Sequence, residues 1–298
     1  MQEEAIGNNI IMNEKHLDDL VSYLKFPSVS TDSHYKENVR DCAEWLSSKI
    51  DEVGLEASIH ETPGHPIVIG KNKHSEDKPT VMIYGHYDVQ PADPIDLWDS
   101  PPFEPLIKDG KIYARGSTDN KGQHLAHLLG LGETLSENGD LPVNIIYLVE
   151  GEEEIGSPNL EPFLIENKED LDCDVIAVSD TGMIGPGMGT FTYGLRGVAC
   201  MEVKVIGPSK DLHSGVFGGA VANPCTAISK MISSLHDLDG RIKVDGFYDR
   251  VKEIEDWEKT AWAKIQLNEN ETLDLTGAPE LFGETGFSDN ERRWSRPT

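Results

Sequence analysis

Three short apolar runs, residues 80–84, 143–149 and 174–178, are each followed within a few positions by a histidine or a carboxylate, and stretches of helical periodicity separate them. This alternation constrains the chain most, because strands linked by helices build an α/β layer with a largely parallel central sheet flanked by helices. In such sheets ligands bind beyond the C-terminal strand ends, which is where these polar residues fall. Earlier, Leu17, Leu20, Val21 and Leu24 recur at helical spacing until Pro27, and Val39, Cys42, Ala43, Leu46, Ile50 and Val53 form a second stripe closed by Gly54. Extended segments are predicted over 57–60 and 67–70, and helices over 121–135 and 159–166. Residues 182–189 are glycine-rich and read as a linker. Beyond them a new unit is predicted, with a strand over 198–206, a Gly-rich turn over 211–219, a helix over 223–238 and a charged helical piece over 248–265.

The chain has 298 residues, enough for about two domains. Its net charge of -27 repels phosphate backbones and anionic lipid, so neither nucleic acid nor a membrane is an expected partner. No segment approaches the roughly 18 consecutive apolar residues of a membrane span. The acidic N-terminus lacks the basic and then apolar pattern of a secretory signal. Cys42, Cys173, Cys200 and Cys225 lie far apart with no C-x-x-C pair, which predicts buried free thiols in a reducing, cytoplasmic setting. Trp98 and Phe103 are expected in the core.

The polar residues at the strand ends form four groups. In YGHYDVQPAD, His86 and Asp88 are two apart on extended chain and point to one side, which suits a metal-bound imidazole oriented by a carboxylate. Asp119 and Asn120 precede the helix starting near Lys121, where a capping Asp is the ordinary explanation. Glu150, Glu152, Glu153 and Glu154 crowd the end of a very apolar strand, and such like charges repel unless a cation neutralises them. Asp180 follows the last run. Each group is weak alone, but one imidazole and several carboxylates at one sheet rim suit zinc, manganese or cobalt, and a bridging carboxylate allows two ions. Metal-assisted hydrolysis is the chemistry that follows. No serine nucleophile elbow, P-loop or dinucleotide fingerprint competes with it.

HYDVQPA, RGSTDNKG, EGEEEIGS, SDT and DLHSGVFGG, in this order, resemble the M20 family of co-catalytic zinc peptidases, and in particular its dipeptidase branch, which includes the carnosine dipeptidases. The likeness is dense over residues 84–224. It implies that His86 and Asp180 hold one metal, Asp119 bridges two, and Glu154 holds the other. Glu153 is then the general base, Asp88 the partner of His86, and the peptide between Asp119 and Asn120 is cis. It also implies that His213 belongs to an inserted lid domain and, in a homodimer, reaches the partner's active site to stabilise the oxyanion. The domains expected on this basis are a catalytic domain over 1–188 and an incomplete α/β sandwich lid, serving dimerisation, over 189–298. The cofactors are two divalent metal ions, zinc first, with manganese or cobalt as alternatives. The substrate is a dipeptide or small peptide.

Family members continue past the point that RRWSRPT resembles, and there supply a terminal histidine for the second metal and an arginine for the substrate carboxylate. The resemblance therefore implies that this sequence is a piece of a longer chain, binding the first metal better than the second and having little peptidase activity alone. Two other readings remain at the level of sequence. One is an N-acyl amino acid deacylase with the same metal cage; the other is an inactive chain that only binds or dimerises.

Overall fold

In the computed structural model, which describes residues 13–185, 188–265 and 269–297, the apolar runs become strands of one sheet. These are β1 (Glu56–His60), β2 (Ile67–Lys71), β3 (Thr80–His86), β6 (Asn144–Glu150) and β7 (Val175–Val178), ordered β1-β2-β6-β3-β7; β4 (Leu106–Lys108) and β5 (Lys111–Tyr113) form a separate hairpin. Both β1 and β6 oppose β2, whereas β3 runs parallel to β6 and β7, so β2 alone points the other way and the sheet is largely parallel, as expected. The β4–β5 hairpin has no counterpart in the sequence reading. Its signal was Asp109-Gly110, whose positive φ angles of 54° and 73° are what a tight hairpin turn requires.

The sheet is covered on both faces. Along β6, Ile145, Tyr147 and Val149 pack with residues of α1 (Glu14–Leu24), α2 (Lys36–Glu52) and α3 (Lys121–Asn138), while Ile146 and Leu148 pack with Phe163 of α4 (Leu160–Glu166) and Leu171. That period of two is the pleat, and burial on both sides is why β6 reads as an unbroken apolar run. Truncating one of these large aliphatic side chains to alanine costs about 2–5 kcal/mol. The two stripes end as predicted: α1 stops before Pro27, and α2 is followed by Gly54 at φ +96°. Helix α3 runs past the expected 135 to Asn138, where Gly139 at φ +73° closes it. Strand β3 runs two residues further than expected, because its ladder with β6 continues to the His86–Glu150 pair.

The chain divides into two compact units, Met1–Phe191 and Thr192–Thr298. Residues 186 and 187 of the glycine-rich stretch lie outside the described residues. The second unit contains α5 (Ser214–Phe217), α6 (Pro224–Ser233), α7 (Asp256–Trp262), α8 (Glu269–Thr276) and α9 (Asp289–Trp294). The strand expected over 198–206 is not formed. The apolar residues are there, but no neighbouring strand pairs with them among the described residues, and a strand exists only through such ladder bonds. Helix α6 stops short of 238 because the Asp237 side chain accepts from the amides of Asp239 (3.0 Å) and Arg241 (2.9 Å), bonds that compete with the helical ladder. The piece expected over 248–265 begins only where Glu255 and Glu258 form a capping box at the start of α7.

Two further expectations are corrected. All four cysteines are free, but only Cys42 is buried; Cys173 is half-buried, and Cys200 and Cys225 are exposed because their segments pack against no core. Trp98 and Phe103 are half-buried and belong to neither apolar cluster. The Trp98 indole instead donates to the Ala92 carbonyl at 2.8 Å, beneath the Arg115 guanidinium 5.4 Å from its ring.

Candidate metal centre

His86 is the last residue of β3 and has no exposed surface. Its Nδ1 lies 3.0 Å from the backbone carbonyl of Asp88 and 3.4 Å from the Asp88 carboxylate. A carbonyl can only accept, so Nδ1 carries the proton and the Nε2 lone pair faces outward. Nε2 then lies 3.1 Å from Asp119 Oδ1 and 3.4 Å from Asp180 Oδ2. Three acceptors facing one another repel unless a proton or a cation stands between them. Burial by itself pushes the His86 imidazole down, but the hydrogen bond and charge of Asp88, with Asp180 and Glu153, carry it up to about 9. The pocket thus favours positive charge at this nitrogen.

Each carboxylate is delivered by local structure. Asp119 precedes the first residues of α3 across a cis peptide to Asn120, and it is Asn120 that occupies the N-cap position, so Asp119 is not the cap. Asn120 is itself buried, accepts from the His86 amide at 3.3 Å and donates to Asp180 Oδ1 at 3.2 Å, tying β3 to the end of β7. Asp180 follows β7, and the neighbouring Ser179 hydroxyl meets His127 Nε2 at 2.6 Å. Glu153 and Glu154 lie on a single 3-10 turn, Glu153–Ile155, closed by Gly156 at φ +86°. Burial raises both carboxyls. For Glu153 the other acids add to this against the opposing pull of His86, and for Glu154 the Gln90 hydrogen bond opposes it. Gln90 donates to Glu154 from its side chain at 2.7 Å and from its backbone at 3.2 Å.

The other two acids of the run have different tasks. Glu150 accepts from the Tyr84 hydroxyl (2.6 Å) and the Ser157 hydroxyl (2.7 Å), and Glu152 from the His65 amide (3.1 Å) and Asn159 (2.7 Å). These buried carboxylates are satisfied by hydrogen bonds and anchor both ends of the turn that presents Glu153 and Glu154. Asp88 acts on the same turn, accepting from the amides of Glu153 (3.2 Å) and Glu154 (3.1 Å). His213 lies in the second unit, where it caps α5 by accepting from the Gly215 amide at 3.0 Å.

The sequence-predicted residues His86, Glu153 and Glu154, and likewise His86, Asp119 and Asp180, place one donor atom each within 4.8 Å of one another. Sequence reasoning missed Ser30, Gln90 and the bridging role of Asn120. Asn120 stands beside Asp119 and Gln90 lies inside the HYDVQPA motif, so both could have been found there, whereas nothing in the sequence marks Ser30.

Residues 82–276 match the family model described as peptidase family M20/M25/M40. The chain belongs to this family. It is 33% identical over 303 residues to the Cys-Gly metallodipeptidase dug1 of Schizosaccharomyces pombe, covering 96% of this chain and 63% of that protein. It is 38% identical over 239 residues to the human Beta-Ala-His dipeptidase, covering 79% and 47%. Among solved structures, the dipeptidase Dug1p of Saccharomyces cerevisiae superposes with a TM-score of 0.77 at 28% identity over 95% of this chain and 62% of that one. Human carnosine dipeptidase 1 gives 0.75 at 29% identity, over 91% and 60%. The chain thus spans less than two thirds of the length of these relatives.

Membership in the M20 family implies divalent metal ions, and the donors present fit them. A tetrahedral zinc site with bonds of about 2.0–2.1 Å places its ligand atoms about 3.3 Å apart. The His86–Asp119 and His86–Asp180 separations of 3.1 Å and 3.4 Å bracket that figure. No helix of the described residues is long and apolar enough to cross a membrane.

Proposed function

We propose that this M20 chain carries the hydrolytic centre of a metal-dependent dipeptidase. The observation that supports this best is the meeting of Asp119 and Asp180 at the outward-facing nitrogen of a buried histidine, beside the paired acids Glu153 and Glu154. In this reading His86, Asp119, Asp180 and Glu154 hold two divalent ions, zinc first, with Asp119 shared between them. Such ions supply Lewis acidity toward the scissile carbonyl and make water acidic near neutral pH.

The chain's own residues do the rest. Glu153 is half-buried, and burial raises its carboxyl toward the range in which it can take a proton from water and return it to the leaving amine. Asp88 holds the Glu153 and Glu154 amides, and Asn120 fixes Asp180 relative to the His86 backbone. His213 is the proposed oxyanion donor to a partner copy in a homodimer. The dipeptides in the relatives' names, Cys-Gly and β-Ala-His, are the first substrates to assay, and the cytoplasm is the proposed compartment. Glu153 and Glu154 share His86 with the other donor group, so this polypeptide is expected to hold one ion more tightly than a second.

Calorimetric titration of the metal-free chain with zinc tests this reading. Asp180→Ala is expected to weaken the tight site by about tenfold or more, as loss of a ligand or its partner does. Glu153→Gln is expected to keep that site and, where turnover is measurable, to lower kcat by about 10²–10⁴. Unchanged zinc affinity in Asp180→Ala would sink the assignment.

A further inference from the structure

We propose that Ser30 is a positioning residue for this centre, its hydroxyl fixing the Asp88 carboxylate and, through it, the backbone of Glu153 and Glu154. The role in metal binding rests on the function proposed above; the geometry does not. Asp88 has no exposed surface, and its two oxygens face four groups. Oδ2 accepts from the Ser30 hydroxyl at 2.6 Å and from the Glu154 amide at 3.1 Å; Oδ1 accepts from the Glu153 amide at 3.2 Å and lies 3.4 Å from His86 Nδ1. Of these, only Ser30 is a side chain that belongs neither to β3 and its extension nor to the acidic turn. It therefore sets where the carboxylate sits between His86 on one side and the two glutamates on the other.

Ser30 is in turn held rigidly. Val29 bridges Val89 in parallel register, the Val89 amide donates to the Ser28 carbonyl at 3.0 Å, and the Ser28 hydroxyl donates to the Tyr87 carbonyl at 2.6 Å. The short strap after α1 is thus laced along the chain that leaves β3, with both serine hydroxyls buried. The two hydroxyls differ in one respect. Ser28 bonds a backbone carbonyl, whereas Ser30 bonds the carboxylate that organises the centre. A buried carboxylate with a charge-assisted donor keeps one rotamer; without that donor it is free to shift within its remaining bonds.

Ser28→Ala is therefore the matched control for Ser30→Ala, since each deletes one buried hydroxyl bond from the same strap. Amide hydrogen exchange on the metal-free chain, read by NMR, is expected to be about tenfold faster at Glu153 and Glu154 in Ser30→Ala and close to wild type there in Ser28→Ala. Ser30→Thr, which keeps the hydroxyl, is expected to return both rates toward wild type. Zinc affinity is expected to fall about 10–100-fold in Ser30→Ala only. Exchange at the two amides within about twofold of wild type in Ser30→Ala, or raised equally by Ser28→Ala, overturns the proposal. Unaltered zinc affinity in Ser30→Ala overturns it as well. A wild-type chain that takes up no zinc refutes the metal reading instead, and the exchange comparison still decides the role of Ser30.

Discussion

His124 lies directly beneath the residue that precedes His86. A Cβ added to Gly85 would stand 2.7 Å from His124 Cβ and 2.9 Å from Asn120 Oδ1, so glycine is what lets β3 approach α3 this closely. His124 is enclosed by the Tyr23 hydroxyl, 3.1 Å from Nε2, and the Tyr147 hydroxyl at Nδ1. Burial first, then the positive charges of His86, Lys121 and His127, push its pKa well below the ordinary histidine value, so it is neutral in the folded chain. In the unfolded chain it binds a proton below about pH 6.5. The unfolded state then holds the extra proton, and stability is lost as pH falls through that value, by up to about 1.4 kcal/mol per pH unit. Urea midpoints between pH 7.5 and 5 are expected to fall more steeply for the wild type than for His124→Gln. Parallel slopes would show that the imidazole is protonated in both states. Of this neighbourhood the sequence displayed the glycine and the histidine, but not that they meet.

At the scale of elements, α1 and α2 are joined by one buried lysine. Lys49 donates to Asp19 at 2.7 Å and to Glu52, and only 8% of its side chain is exposed. Burial works against its charge, and the two carboxylates more than restore it, leaving the amine above its usual pKa. Removing one member of such a pair leaves a desolvated charge behind. Lys49→Met is expected to destabilise the chain by about 1–3 kcal/mol in urea unfolding, and adding Asp19→Asn to recover part of that loss, because the orphaned carboxylate is gone. Strict additivity of the two would mean that the pair is not coupled. The helices themselves were legible as stripes, the first closed by Pro27 and the second by Gly54. The pairing of α1 with α2 through Lys49 was not, because a lysine in a helix ordinarily signals solvent.

At the scale of the whole molecule the two units differ in how much they bury. The first contains both apolar clusters. Among the described residues of the second, Ile242 and Ile254 are the only buried apolar side chains, while Leu195, Val198, Met201 and Ile206 are each at least 85% exposed. Its best-knit feature is polar, with Glu284 accepting from Arg296 at 2.9 Å and from Arg241 at 3.1 Å, and Arg241 stacked 3.9 Å over Tyr248. Segments with few buried contacts open at low free energy and are cut first. Limited trypsin digestion is expected to attack Arg196, Lys204 and Lys210 before any site in α2 or α3 and to leave a fragment close to the first unit. Early cleavage within α2 or α3 would contradict this.

What the sequence determined by itself was the order of the helices and of the five strands of the main sheet in the first unit, and the residue types at each strand end, because period, capping and glycine placement are local properties that need no partner. The resemblance of its motifs gave the family and a set of candidate ligands. The resemblance singled out Glu153 and Glu154 among the four crowded glutamates, and only the tertiary structure showed what holds the other two, Glu150 by Tyr84 and Ser157 and Glu152 by His65 and Asn159. It also showed that Asp88 binds the turn below it, and that apolar residues 198–206 remain without a strand. Those outcomes depend on what lies across a ladder or behind a carboxylate, and such neighbours are far away along the chain.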